Sequence, residues 1–206
     1  MIKMIVDTAT SYYYLSLLRD NEILEEAYEY GQGNHSETLM PRLEKMLKDN
    51  NLTLKDIEEV YTGIGPGSYT GVRISVVIAK MIWALNNTKI YKFSTLALIA
   101  SSKDSESYPY IDARRGNAYI AHFDDNYNRL MTDEVVSVNE FFNEKEKDKE
   151  LIVESGKPNP IKLINSPEVE LVEDVDKLTP NYIQLVEAER KRRGLEWLSL
   201  NLKEII

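Results

Sequence analysis

Cysteine is absent from the 206 residues, and histidine occurs only twice, at His35 and His122. The first absence removes disulfides, thiolate catalysis and thiolate-bound zinc or iron–sulfur clusters, and it suits a reducing compartment. The scarcity of histidine leaves no His-Glu-x-x-His and no paired-histidine helix, which disfavours metal catalysis. His122 alternates with Ile120 as a half-exposed strand residue would, and His35 reads as capping or packing at a helix start. Basic residues are in deficit: 25 Lys and Arg against 34 Asp and Glu give a net charge of −9. An acidic chain repels phosphate backbones, so nucleic-acid binding by this chain alone is not expected. The strongest basic cluster, Arg190 to Arg193, reads as a solvated helix end. Long apolar runs are missing too. The longest, Ile74 to Leu85, is interrupted by Ser75 and Lys80 and falls short of a membrane span. Met1 to Asp7 is too short and too soon charged for a signal peptide. The composition reads as a soluble cytoplasmic chain with no membrane partner.

Glycine is sparse, yet four of the nine glycines crowd into the stretch Gly63 to Gly71. Val60 to Ile64 reads as a strand, Gly65-Pro66-Gly67 as a tight turn, and Val72 to Leu85 as a helix. Only Arg73, Ser75 and Lys80 are polar around that helix. A helix apolar on all sides needs cover on all sides, which is hard to supply within a lobe of about a hundred residues. A partner helix from another subunit is the natural solution, and the pattern favours an interaction protein.

In chain order, Ile2–Val6, Tyr12–Leu18 and Ile23–Tyr30 read as an antiparallel meander, with Arg19 to Glu22 as a hairpin turn. Leu39, Leu43, Met46 and Leu47 share one helical face, with Pro41 in the first turn or bending the helix. Thr53 caps a short turn, Lys89–Phe93 is a strand, and Ser94 or Thr95 caps a helix through Ile99. Lys103 to Ser107 is polar and marks the boundary between residues 1–103 and 104–206. Beyond it Tyr108–Ala113, Ala118–Phe123 and Leu130–Val136 read as strands. Ser137 and Glu140 have capping-box spacing. Leu151–Val153 and Val169–Val172 read as short strands around a proline-rich loop, and Tyr182–Arg192 as a last helix. The second half thus restarts as the first did, with fewer and shorter strands.

The glycine turn fails the nucleotide fingerprints. A Walker A loop ends Gly-Lys-Ser/Thr, whereas Arg73 follows Val72 here; the third glycine of a dinucleotide fingerprint, Gly71, comes one residue late. Ser68 lacks the flanking glycines of a nucleophile elbow. Asp7 and Asp112 both end apolar strands before polar turns, where a carboxylate either caps the turn or holds a metal–nucleotide through water.

Five blocks then occur in order: Ile5-Val6-Asp7-Thr8-Ala9-Thr10, His35 to Pro41, Gly65-Pro66-Gly67-Ser68-Tyr69-Thr70-Gly71-Val72-Arg73-Ile74, Ser94-Thr95-Leu96 and Ile111-Asp112-Ala113-Arg114. Together they resemble the TsaB (YeaZ) family, and Pro180 to Ile183 is similar to that family's C-terminal segment. The resemblance implies an α/β fold of the actin-like, heat-shock-ATPase-like (ASKHA) type, with two related lobes and the C-terminal one truncated. The last helix would be free to pack back on the first lobe. It implies a non-catalytic scaffold subunit of the complex that makes N6-threonylcarbamoyladenosine in tRNA. The subunit would bind and activate a TsaD-type transferase together with the ATPase TsaE, pair with itself as a homodimer, and meet tRNA only through the complex. The catalytic relative's metal-binding histidines fall at Thr95 and Ile99, neither of which can serve. Asp7, Thr8 and Thr10 occupy the superfamily's phosphate turn. No cofactor is expected to bind tightly, ATP being used by the wider complex. The partner face is expected on the two N-lobe helices, at His35, Leu39, Leu43, Met46, Tyr69, Val72, Arg73, Val76, Val77 and Lys80. Rival readings are a stand-alone ATPase or kinase using Asp7 and Asp112, and a metalloprotease.

Overall fold

Alternation along the first strands sends side chains to two opposite cores, and the rest of the architecture follows from that. The computed structural model describes residues 1–31, 35–144, 152–153 and 155–183. Strands β1 (Ile2–Asp7), β2 (Tyr12–Arg19) and β3 (Glu22–Tyr30) form the expected meander, with Ile5 facing Ser16 across the first pair and Leu15 facing Ala27 across the second. Helix α1 (His35–Asp49) follows, then β4 (Ile57–Gly63), helix α2 (Tyr69–Asn86) and β5 (Lys89–Phe93). β4 adds parallel to β1, and β5 parallel to β4. Parallel neighbours need a crossover, which α2 supplies between β4 and β5.

Both faces of this sheet are covered, so its central strands are buried almost throughout. On one face Met4, Val6, Leu15 and Leu17 pack with Leu39, Leu43 and Met46 of α1 and with Val76, Ala79 and Ile82 of α2. On the other, Ile5, Tyr14 and Leu18 pack against helix α3 (Thr95–Ala100) and against residues of a second sheet, including Phe123. Burying each such side chain contributes about 1.5–3 kcal/mol. The second sheet comprises β6 (Tyr108–Arg114), β7 (Asn117–Phe123), β8 (Arg129–Ser137) and β9 (Ile152–Val153), in the order β8-β7-β6-β9. Helix α4 (Val138–Glu144) follows β8 directly after Ser137. The two-lobed α/β plan matches the expected fold class. The strands of the second meander, with 7, 7 and 9 residues, are not shorter than the 6, 8 and 9 of the first; the second sheet is the smaller because it has four strands against six.

Several details differ from the expectations. α1 already starts at His35, so Pro41 lies in its second turn rather than its first. The proline-rich stretch contains a helix, α5 (Pro160–Ile164). Asn159 caps it by accepting the Lys162 N–H at 3.0 Å, and Pro160 sits at the first helical position, where no N–H is needed. Residues 169–183 then cross back to the first sheet. β10 (Glu170–Leu171) pairs antiparallel with β5, with the Lys92–Glu170 ion pair at 2.9 Å across the pairing. Val175 and Leu178 enter the first core, and the Asn181 N–H bonds to Ile64 O at 2.7 Å. Tyr182 and Ile183 are not helical. The remainder of the expected last helix and the Arg190–Arg193 cluster lie outside the described residues.

Candidate functional site

Two places gather the residues singled out above: the cleft beside the glycine turn, and the outer face of α2.

At the end of β1 the Asp7 carboxylate is buried. It accepts the Thr95 hydroxyl at 2.6 Å and the Ala9 N–H at 2.8 Å. Gly63 is required beside it, since a Cβ there would stand 1.8 Å from Asp7 Oδ2. The buried Thr8 hydroxyl donates to Gly71 O at 2.6 Å, and the Thr10 hydroxyl donates to Tyr12 O at 2.8 Å. All three residues expected to form a phosphate turn therefore hydrogen-bond to the chain itself. The start of α2 is closed in the same way: the Ser68 N–H donates to Ala9 O at 2.7 Å, and the Ser68 hydroxyl caps the Gly71 N–H at 3.2 Å. A helix N-terminus is an anion site when its N–H groups face open space; here the carbonyls of Thr8 and Ala9 stand in front of it.

Beyond this turn lies a cleft of about 740 Å³ between the two sheets, walled by Asp7, Thr95, Ile99, Asp112 and Arg114 and by tyrosines that include Tyr12 and Tyr110. Arg114 is its sole cationic side chain among the described residues, and it bonds across the turn to Asp112 at 3.4 Å. The donor set does not fit a triphosphate, which needs convergent N–H groups and cations. Thr95 and Ile99, at the positions the resemblance gives to metal-binding histidines, are a buried hydroxyl on Asp7 and a buried aliphatic. Among the described residues no three His, Cys, Asp or Glu side chains cluster as metal ligands would. His122 is half-buried, stacked on Tyr108 with ring centroids 4.1 Å apart, and its Nε2 lies 2.6 Å from Glu106.

The face of α2 turned to the sheet carries Val72, Val76, Ala79 and Ile82, with the buried Ser75 hydroxyl donating to Gly63 O at 2.9 Å. The opposite face carries exposed side chains. Arg73, Val77, Met81 and Leu85 recur every fourth residue and so form one row along the helix; Val77 is 62% exposed, Met81 37% and Leu85 54%. At the head of the row the Arg73 guanidinium lies 3.8 Å above the Tyr69 ring, and its Nε–H donates to Tyr182 Oη at 2.8 Å. Lys80, at the side, donates to Asp176 O at 3.2 Å.

The expected partner residues thus divide. Tyr69, Arg73 and Val77 are at the surface, and Lys80 is half-buried under the returning segment. Leu39, Leu43, Met46, Val72 and Val76 are a correction. They are buried within the chain itself, because the apolar stripes of α1 and α2 face the sheet rather than a partner. The side chain of His35 lies outside the described residues. Met81 and Leu85, which the sequence reading does not single out, share the row that Arg73 begins, and Arg73 was the usable signal: a charged residue at its head marks the outward side of the helix.

A family profile described as TsaD, tRNA N6-adenosine threonylcarbamoyltransferase, matches residues 26–177. The chain is 34% identical over 122 residues to the tRNA threonylcarbamoyladenosine biosynthesis protein TsaB of Bacillus subtilis, covering 58% of this chain and 53% of that one. It is 30% identical over 138 residues to the TsaB of Buchnera aphidicola, covering 63% and 62%. The chain therefore spans between half and two thirds of these relatives. Among solved structures, a Pseudomonas aeruginosa protein described as uncharacterized and similar to the peptidase YEAZ superposes with a TM-score of 0.73. It shares 18% identity over 89% of this chain and 99% of that one, a likeness of fold. No helix among the described residues is long and apolar enough to cross a membrane.

Proposed function

The chain belongs to the TsaD family, within it to the TsaB/YeaZ group, and from that membership we propose that it is a non-catalytic subunit of the machinery that makes threonylcarbamoyladenosine in tRNA. Its work is to dock a TsaD-type transferase on the outer row of α2. The observation that carries this reading is the row itself: Val77, Met81 and Leu85 are exposed on a helix whose other side is sealed against the sheet. Exposed aliphatic side chains in line on a rigid helix are what a partner helix buries. A second copy of the chain meets the same face when no transferase is present.

The non-catalytic role is supported by the cleft. Thr95 and Ile99 offer no metal ligands, and Asp7, Thr8 and Thr10 are engaged within the chain. ATP use then belongs to a TsaE-type partner, and tRNA is met through the assembled complex. Residues 1–103, joined by the returning segment 169–183, act as one lobe of the scaffold, and the sheet β6–β9 belongs to the other.

The test is co-purification with the transferase, using Val77→Asp with Met81→Asp. Both positions are exposed, so the double variant is expected to keep its stability within about 0.5 kcal/mol of the parent per site. It is expected to lose the transferase and, in a reconstituted reaction with the ATPase, threonylcarbamoyl-adenylate and tRNA, to lose product as fully as omission of the chain does. Retention of the transferase by the folded double variant would refute the docking face. Undiminished modification without the chain would refute the role.

A further inference from the structure

Arg73 differs from an ordinary surface arginine in being held. Its guanidinium is stacked on Tyr69, whose ring centroid is 5.0 Å from that of Tyr182, and it donates to both phenol oxygens, from Nε to Tyr182 and from Nη2 to Tyr69. Two of its five N–H groups are engaged. The pair on Nη1 and one on Nη2 carry no hydrogen bond among the described residues, and Arg73 enters no ion pair there. A planar fork fixed in this way matches a carboxylate with two parallel bonds and loses little side-chain freedom on binding.

When α2 packs on α2 of a second copy, that helix does not supply the carboxylate. In a twofold antiparallel pairing centred between Val77 and Met81, Arg73 faces Leu85 of the other copy. Shifted outward by one turn, it lies beyond Asn86, the last residue of α2. No acidic residue occurs from Ala84 to Ile90. Parallel pairing sets Arg73 against Arg73. The aliphatic part of the row is satisfied by self-pairing; the fork is not.

We propose that Arg73 selects the partner of α2. The face fits a helix of a different protein that carries an aliphatic row with an aspartate or glutamate opposite Arg73, and the same arginine works against pairing of two copies. The inference rests on the docking reading above, and its test separates the two. Full-length chain is titrated with the TsaD-type transferase at low and high salt, and its self-association is followed by sedimentation. Arg73→Met keeps the aliphatic stem but removes the fork. It is expected to weaken transferase binding at least about tenfold, flatten the salt dependence, and leave self-association unchanged or tighter. Leu85→Glu places a carboxylate opposite Arg73 in a self-pair. It is expected to tighten self-association about tenfold although an aliphatic group is lost, and adding Arg73→Met is expected to cancel the gain. Transferase binding by Arg73→Met within about twofold of the parent overturns the proposal, as does a Leu85→Glu chain that associates no better than the parent. If the parent chain does not bind the transferase at all, the docking reading falls, and selection by Arg73 is decided by the Leu85→Glu pair.

Discussion

Gly71→Ala sets two rules against each other. Gly71 is the third residue of α2, and in an unencumbered helix the change to alanine stabilises by about 1 kcal/mol. Here the new Cβ would stand 2.0 Å from Thr8 O and 3.0 Å from its carbonyl carbon, far inside ordinary contact. Thr8 is buried backbone at the end of β1, so relief comes only from lifting the start of α2. Lifting breaks the Ser68 N–H to Ala9 O bond and the Thr8 hydroxyl to Gly71 O bond. Each is worth about 0.5–1.5 kcal/mol, and a buried hydroxyl left unpaired costs about 1–3 more. After the helix-propensity gain, the net expectation is a loss of about 1–5 kcal/mol, centred near 3. Urea unfolding reads this as a lower midpoint with an unchanged slope. Gly116→Ala is the control. Its Cβ meets nothing within 4 Å, and only its φ of +76° opposes the change, at about 1–2 kcal/mol. A Gly71→Ala chain as stable as the parent, or less affected than Gly116→Ala, would show that the close approach of α2 to the β1–β2 turn is not what the glycines serve.

Two further outcomes test the interior. Thr95→Val withdraws a donor from the buried Asp7 carboxylate and is expected to cost about 1.5–3 kcal/mol, whereas Thr95→Ser, which keeps the hydroxyl, should cost less than about 1.5; equal losses for the two variants would contradict the assigned bond. Burial, acting first, raises the phenol pKa of Tyr13, Tyr14, Tyr61 and Tyr127, and nearby glutamates add to it. Their folded pKa values lie above the unfolded value of about 10, so their contribution is intact below pH 10 and declines as pH rises beyond it. Denaturant unfolding should show stability falling above pH 10, with tyrosinate absorbance split between early and late groups, and Tyr14→Phe should reduce the slope. A single tyrosinate transition centred at 10 would rule this out.

Periodicity and turn chemistry made the strands, α1, α2 and α3 readable, because alternation and fourfold spacing are properties of the local chain. The same patterns could not say what covers an apolar face. Leu39, Leu43 and Met46 look alike in sequence whether they meet the chain's own sheet or a second protein, and only the crossover geometry decides for the sheet. α5 was hidden because its stretch reads as a proline-rich loop, whereas Pro160 serves as the first helical residue. The cleft could not be anticipated either, since Tyr12, Tyr69 and Tyr110 come from separate elements that converge only in the fold. Tyr182 illustrates the same limit: 109 positions separate it from Arg73, and no short-range signal joins them.

The return of residues 169–183 to the first sheet has a consequence for biosynthesis. β10 closes the outer edge of β5, and Val175 and Leu178 seal the core formed by α1 and α2. Nascent chains fold as they emerge, N-terminal parts first, so the opening hundred residues leave the ribosome with a bare strand edge and an unsealed side. Such an edge is a template for pairing with other chains. The seal forms only when residue 178 is free of the exit tunnel, so a chain cut between residues 171 and 175 would lose its seal while keeping every strand of its first sheet.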